Sequence, residues 1–304
     1  MSVRKVIATG LTLLVITGAT VWSQSNGRRH VATQTQKLSL VSATEEPPTT
    51  NQSTIEHADG NLHIESNGIP KHLVGRFPNR GNPHSIRSQR YNFNLPENPK
   101  PADKVTSIYF TSRFGPPNMP FGVALNGVLF DPGTAEFWQG NRGGGWNYEA
   151  LGGAVPLGID ENYAHVQPQG AYHYHGIPDQ LLKGLGFDPT KHSPLVGWAA
   201  DGFPIYCKTA YRDPKDPISE IVSLRPSFRL KEGDRPGGES SPGGTYDGTF
   251  FEDYEYAAGS GDLDECNGRF CKTPEFPDGT YAYFLTTQWP VIPRAFKGQP
   301  VKLR

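Results

Sequence analysis

From about residue 55 onward, apolar and aromatic residues stand in short runs separated by glycine, proline, asparagine and aspartate. Short strands bounded by turn residues produce this spacing, whereas helices need longer stretches with apolar positions every three or four residues. The pattern therefore predicts a mainly β fold, a sandwich- or barrel-like single domain with long loops and few short helices. The predicted strands cover residues 105–110, 122–130, 170–175, 202–207 and 280–286, and short helices are expected at residues 179–185 and 216–224.

The chain before residue 55 has a different character. Arg4 and Lys5 precede an uncharged apolar run at residues 6–22, which predicts a signal peptide over residues 1–23. An uncleaved membrane anchor is the alternative, because a run of about 17 residues is at the short limit for a spanning helix. Residues 24–54 are polar and lack apolar periodicity, which predicts a disordered linker before a domain at residues 55–304. The expected location is secreted or periplasmic.

The composition of the chain argues against two classes, helical bundles and nucleic-acid-binding proteins. Glycine and proline, 35 and 28 of 304 residues, favour turns and argue against a helical bundle. The 29 basic and 30 acidic residues give a net charge of −1, so no basic surface for nucleic acid is expected. The only membrane contact considered is the N-terminal anchor itself, and the partner is an unknown extracytoplasmic substrate or protein.

The chain has three cysteines that could form a disulfide: Cys207, Cys266 and Cys271. Export to an oxidising compartment favours a disulfide, and Cys266 and Cys271 enclose only four residues. We therefore expect that pair to be bonded and Cys207 to be unpaired in an apolar strand. Free buried thiols and pairing through Cys207 are the alternatives.

Histidine provides the candidate chemistry, because three of the nine histidines lie within eleven residues: His165, His173 and His175. Alternation along a strand places His173 and His175 on one face, and the turn signal at residues 167–170 folds His165 back beside them. Three imidazoles with an open fourth position suit copper or zinc. The alternative is a buried polar core in which these histidines bond to tyrosines or to the backbone.

The segment Tyr172-His173-Tyr174-His175 resembles the signature of the YHYH-domain family of exported proteins. Similar blocks occur at residues 66–70 with His72, and at 77–83, 122–127, 201–206, 253–256, 262–268 and 279–283. The resemblance covers about residues 55–300 and implies no settled activity. Cys207 departs from the family pattern, which more often has glycine after the tyrosine.

The resembling blocks add candidate residues around the metal. His72 is a candidate fourth ligand or a partner of a ligand, and Asp201 is a candidate carboxylate that orients an imidazole through its N–H, with a simple turn role as the alternative. The acidic residues of segment 259–268 suggest calcium, but a surface turn fits their spacing better.

Two classes of function follow from these residues. The first is a metalloprotein holding one copper or zinc ion through His165, His173, His175 and His72, with a metalloenzyme as its catalytic version. A hydrolytic version would take Asp201 or Glu265 as its base. The second is a non-catalytic extracellular binding or structural module with aromatic contacts through three residues: Trp138, Trp146 and Tyr148.

Overall fold

Most of the chain is organised by short β-strands joined by turns. The computed structural model describes residue 34 and residues 36–109 and 120–303. Over these residues the strands are, in chain order, β1 (Ala43–Glu45), β2 (Ser53–Ala58), β3 (Asn61–Ser66), β4 (Val74–Gly75), β5 (Tyr91–Pro96), β6 (Pro101–Ser107), β7 (Gly122–Ala124), β8 (Leu129–Phe130), β9 (Ala164–Val166), β10 (Tyr172–Tyr174), β11 (Gly197–Ala199), β12 (Pro204–Cys207), β13 (Thr209–Tyr211), β14 (Ile221–Ser223), β15 (Phe228–Leu230), β16 (Tyr254–Tyr256), β17 (Gly268–Cys271), β18 (Thr280–Leu285) and β19 (Ala295–Gly298). The helical elements of the same residues are the α-helix α1 (Asp179–Gly184) and 3-10 helices at Trp138–Gly140, Arg142–Gly144, Ala150–Gly152 and Phe251–Asp253.

Eight strands form the central sheet, in the order β17-β18-β12-β11-β7-β8-β10-β9. Two of its pairs, β12 with β18 and β8 with β10, are parallel, and the others are antiparallel. A separate antiparallel sheet contains β2, β3 and β5, and the other strands form pairs. The central sheet, as described, ends at two edges, β17 and β9, and does not close into a barrel. The prediction of a mainly β fold with few short helices is confirmed.

Both faces of the central sheet are buried at its strand β18. Tyr281, Tyr283 and Leu285 belong to the largest hydrophobic cluster, whereas Ala282 and Phe284 belong to a second cluster. Because successive side chains of a strand point to opposite faces, these two clusters lie on opposite sides of β18. Burial on both sides explains why this strand is a continuous apolar run instead of an alternating one.

The predicted elements correspond to the observed ones in most places, with two corrections. The runs at residues 170–175, 202–207 and 280–286 contain β10, β12 and β18, the run at 105–110 overlaps the end of β6, and the helix predicted at 179–185 is α1. The run at 122–130 is a hairpin of β7 and β8, not a single strand. Gly127 has a φ of 76° and donates its N–H to the Ala124 carbonyl, which reverses the chain.

The helix predicted at residues 216–224 is wrong. Asp216 accepts hydrogen bonds from Ile218 and Ser219 in a turn, and the chain then enters β14, which pairs with β13. Aspartate and serine side chains bond to neighbouring backbone groups and so favour a turn over a helix here.

The segment predicted as a disordered linker, residues 24–54, is part of the fold over residues 36–54. Backbone hydrogen bonds join Val41 to Ile159 and Glu161, β1 pairs with β4, and Asn51 donates to the Asn126 carbonyl. The ordered chain therefore begins before residue 55, because these polar residues satisfy backbone groups of the core. The predicted signal peptide, residues 1–23, lies outside the described residues. No helix in the described part of the chain has the length and apolar character needed to cross a bilayer.

The expected bond between Cys266 and Cys271 is also wrong, since all three cysteines are free and buried. Cys266 packs in the largest hydrophobic cluster, whereas Cys271 packs in the cluster on the opposite side of β18. The five-residue spacing therefore separates the two sulfur atoms instead of joining them. Burial raises the pKa of each of the three thiols.

We predict three free thiols in the purified protein. Buried thiols with raised pKa values react slowly, so the folded chain should resist iodoacetamide, and all three cysteines should be alkylated once it is denatured without reductant. Peptide mapping by mass spectrometry measures the modified cysteines. A peptide containing Cys266 linked to Cys271 would contradict this prediction.

The carboxylate of Asp160 joins the central sheet to the N-terminal part of the chain. It is fully buried and accepts hydrogen bonds from the Gly75 N–H at 2.8 Å, the Asn162 N–H at 2.9 Å and the Ala164 N–H at 3.3 Å. The hydroxyl of Tyr172 donates to it at 2.7 Å. Removing this one acceptor would leave several buried donors without a partner.

We predict that Asp160→Ala lowers the free energy of unfolding by about 3 kcal/mol or more, because unsatisfied buried donors each cost about 1–3 kcal/mol. Tyr172→Phe, which removes one donor and leaves the carboxylate in place, should cost about 1–2 kcal/mol. Urea unfolding followed by circular dichroism measures both values. Equal losses in the two variants would show that Asp160 does not act as a shared acceptor.

Candidate metal centre

The β9–β10 hairpin brings together the three histidines that lie close in sequence. The turn between its strands closes through the Gln167 N–H to the Ala171 carbonyl and the Gly170 N–H to the Gln167 carbonyl. Gly170 has a φ of 95°, and a side chain there would also meet Arg87. The resulting register places His165 directly opposite His173. The predicted fold-back of His165 is confirmed.

The three imidazoles form a compact triangle, which we call the histidine triad (His165, His173 and His175). Their ring centroids are 4.6–4.7 Å apart, and their candidate ligand nitrogens all lie within 4.8 Å of one another. Nε2 of His173 is 3.0 Å from Nε2 of His175. Two ligands of a tetrahedral ion with bonds of about 2.0–2.1 Å are about 3.3 Å apart, so this separation fits a shared ion. His173 and His175 are buried, and His165 is half-buried.

Backbone carbonyls orient two of the rings. Nδ1 of His165 lies 2.9 Å from the Leu157 carbonyl oxygen, and Nδ1 of His173 lies 3.2 Å from the Ala171 carbonyl oxygen. Since a carbonyl only accepts, each Nδ1 carries the proton in these hydrogen bonds, and each Nε2 of the neutral ring carries the lone pair. The amide nitrogen of Asn82 lies 3.2 Å from Nδ1 of His165, and it donates an N–H to the Val166 carbonyl. Both Nε2 atoms therefore have the lone pair that a metal ligand needs.

The electrostatic environment of His175 favours its neutral form. Burial lowers the pKa of His175 well below its ordinary value, and the neighbouring rings of His173 and His165 lower it further. The Pro132 carbonyl acts in the opposite direction on the same ring. Neutral imidazole is the form that binds a metal ion, so the folded chain holds His175 in the form needed for ligation.

The tyrosines of the same strand lie on its other face and are bonded within the protein. Tyr172 donates to Asp160, and the Tyr174 oxygen accepts from the Asn126 amide at 2.9 Å. Nε2 of His72 is 2.6 Å from the Tyr174 hydroxyl oxygen, and Nδ1 of His72 is 2.7 Å from the Leu73 carbonyl oxygen. Both nitrogens of His72 are thus occupied on the tyrosine face. The structure does not bring His72 into the triad, because the two lie on opposite faces of β10.

The sequence profile of the family described as "YHYH protein" matches residues 92–298, and its name is the sequence of the segment just described. The chain belongs to the YHYH family. No curated protein and no solved structure matches the chain. The matched residues of this YHYH chain run from β5 to β19 and include the whole histidine triad. His72, Gly75 and Asn82, which contact the YHYH hairpin or Asp160, precede the match.

The other predicted site residues of the YHYH chain lie away from the triad or on the surface. Asp201 is buried and accepts hydrogen bonds from the Tyr283 hydroxyl and the Gly298 N–H, so it anchors strands and does not orient an imidazole. Glu265 is exposed. Asp264 accepts from the Cys266 and Gly268 N–H groups, which confirms the turn interpretation of the acidic segment.

The aromatic residues considered as an exposed contact surface are not exposed. Tyr148 is buried against Phe250, and Trp146 packs edge-on against the same ring. Trp138 is half-buried and belongs to the same cluster. The three rings pack in one small hydrophobic cluster and do not form the exposed surface that the sequence suggested.

Sequence reasoning missed Asp131, which follows β8. Its N–H donates to the Tyr174 carbonyl at 2.8 Å and continues the parallel pairing of β8 with β10, so Asp131 stands opposite His175. Alternation places its side chain on the histidine face. Asp131 directly follows the apolar run at residues 122–130, but nothing local indicated that it lies beside a strand some forty positions later.

We predict that the metal-free chain loses unfolding free energy as the pH falls below about 6.5, the ordinary pKa of histidine. His175 stays neutral in the folded chain but takes up a proton in the unfolded chain, so acid favours unfolding. One such histidine gives a slope of up to about 1.4 kcal/mol per pH unit.

Urea unfolding in the presence of a chelator, between about pH 7.5 and about pH 5, measures this slope. His175→Gln removes the titrating group and should show a shallower pH dependence than the natural chain. Parallel dependences for the two proteins would show that His175 titrates normally in the folded state.

Proposed function

We propose that this protein binds one transition-metal ion, copper or zinc, through His165, His173 and His175. The observation that carries the proposal is the convergence of the three rings, in two of which, His165 and His173, a backbone carbonyl binds Nδ1 and leaves the lone pair on Nε2. Nitrogen ligands with one open position are typical of zinc and copper sites. An ion would leave the Nδ1 hydrogen bonds of His165 and His173 in place and would replace the hydrogen bond between Nε2 of His173 and Nε2 of His175.

The two faces of β10 distinguish a ligand set from a polar core. On the tyrosine face each hydroxyl meets a donor or acceptor of the complementary kind, as in Tyr172 with Asp160. On the histidine face, Nε2 of His173 meets Nε2 of His175, so that pair depends on a single shared proton. A satisfied polar core describes the tyrosine face well, and a ligand set describes the histidine face better.

The environment of the triad also suits chemistry at the ion. Three protein ligands leave a fourth coordination position for water or a substrate, which is the arrangement of catalytic metal sites. His165, the half-buried member, is the side from which solvent would reach that position. When bound, the ion would supply a Lewis acid or, as copper, a redox centre, while the chain supplies the oriented imidazoles.

Export of the protein to a periplasmic or extracellular location belongs to the same proposal. Its support is the basic start and the apolar run of the first 23 residues, together with the resemblance to a family of exported proteins. The substrate or partner would then be an extracytoplasmic one. The competing function is a non-catalytic binding or structural module, for which the satisfied tyrosine face is the supporting observation.

We predict that the protein binds zinc or copper with a stoichiometry of about one, and that His173→Ala and His175→Ala each abolish this binding because two imidazoles remain. His72→Gln, a histidine change on the opposite face of β10, should leave the stoichiometry unchanged. Equilibrium dialysis followed by elemental analysis, on protein purified without a histidine tag, measures the bound metal.

Circular dichroism of each variant serves as the control for folding. A natural chain that contains neither metal and takes up neither at micromolar concentration would refute the proposal in favour of the structural module. Loss of metal binding in a folded His72→Gln variant would contradict the assignment of all the protein ligands to the histidine face of β10.

A further inference from the structure

Three side chains besides the triad's own define the surroundings of the histidine face of β10. Asp131 stands opposite His175 on one side of β10, and Gln167 follows His165 by two residues on the other side. Because side chains alternate along a strand, both residues project from the face that carries the triad. Nε2 of Gln167 donates to a carboxylate oxygen of Asp131 at 3.0 Å. Since β10 lies between β8 and β9, this hydrogen bond crosses the face that carries the imidazoles. The third side chain, Arg294, is bonded to the residue that follows Asp131.

The position of Asp131 is fixed by independent contacts on each side of its Cα atom. Its own N–H is bound to the Tyr174 carbonyl, and the carbonyl of the next residue, Pro132, accepts from Nη1 of Arg294 at 2.8 Å. Arg294 is in turn held by a buried ion pair with Glu149 at 2.7 Å. Asp131 itself is buried, with 2% of its surface exposed. These contacts therefore fix the position of the Asp131 backbone relative to the triad.

The Asp131 carboxylate is not among the ligand atoms that lie within 4.8 Å of one another, so it is not a fourth member of the triad. The strand register and the hydrogen bond from Gln167 place it on the triad's face. Three neutral imidazoles carry no charge that would offset a bound cation. A carboxylate beside them stabilises a divalent ion more than a monovalent one, because its attraction scales with the charge of the ion. In a buried site this difference is weakly screened.

We propose that Asp131 makes the histidine triad selective for a divalent ion, Zn²⁺ or Cu²⁺, over Cu⁺. This inference rests on the proposed metal site and specifies the charge of the ion it holds. Asp131 acts as a positioning and charge-compensating residue, and Gln167 orients its carboxylate. Partners of ligands outside the coordination sphere commonly change metal affinity by about 10–100-fold, which is the scale expected here.

The test compares two probe ions on the same protein. Zn²⁺ affinity is measured by competition with a chromophoric chelator, and Cu⁺ affinity is measured anaerobically against a Cu⁺-specific chelator. For Asp131→Asn, which keeps the size of the side chain and an oxygen for Gln167, we expect the ratio of Zn²⁺ to Cu⁺ affinity to fall by about tenfold or more. Damage to the site as a whole would weaken both ions and leave their ratio unchanged.

Two further variants make the result decisive. Asp201→Asn neutralises an equally buried carboxylate in another part of the sheet and should leave the ratio unchanged. Asp131→Ser removes the charge with a smaller side chain and is measured in parallel, so that poor folding of one variant does not remove the test. An unchanged ratio in a folded Asp131 variant, with the natural chain binding both ions, overturns this inference alone. A natural chain that binds neither ion overturns the proposed function and this inference with it.

Discussion

The alternation of side chains along the three residues of β10, and into His175 beyond it, is the constraint on which the site depends. It assigns the tyrosines to one face and the histidines to the other, and neither set can be moved without the other. The tyrosine face is tied to Asp160, Asn126 and His72 by hydrogen bonds within the protein. Those bonds fix the rotation of the strand and so determine the face from which the imidazoles project, while the Leu157 and Ala171 carbonyls orient the rings of His165 and His173.

The tyrosine face also connects the family-matched part of the chain to residues that precede it. His72 and Gly75 lie before residue 92, yet they contact Tyr174 and Asp160 directly. Asn82, also before the match, lies beside His165 on the other face. Shortening the chain to the family match would therefore remove groups that hold both faces of β10. The ordered N-terminal residues are part of the site's support rather than an appendage.

Features that depend on short range in sequence were predictable from the sequence, and features that depend on long-range pairing were not. The triad followed from a two-residue alternation and a four-residue turn, both of which are local. Asp131 was missed because its proximity to His175 arises from the parallel pairing of β8 with β10. The position of His72 beside Tyr174 was not predictable, because a sequence block does not reveal which face of a strand it approaches. The Cys266–Cys271 bond failed for a related reason, since spacing along the chain does not show that the two side chains enter different cores.

The position of β9 at one edge of the central sheet, as described, bears on how the β9–β10 hairpin opens. β9 pairs with one strand only, and the outer backbone groups of Ala164 and Val166 are bonded to Asp160 and Asn82 instead of to a second strand. His165 is on this edge strand, while His173 and His175 belong to the strand inside it. An ion that joins them would fasten the edge to the interior and slow the exchange of the β9 amide hydrogens with solvent. Conversely, transient fraying of this strand would offer a bound ion a route in and out that leaves the rest of the sheet folded.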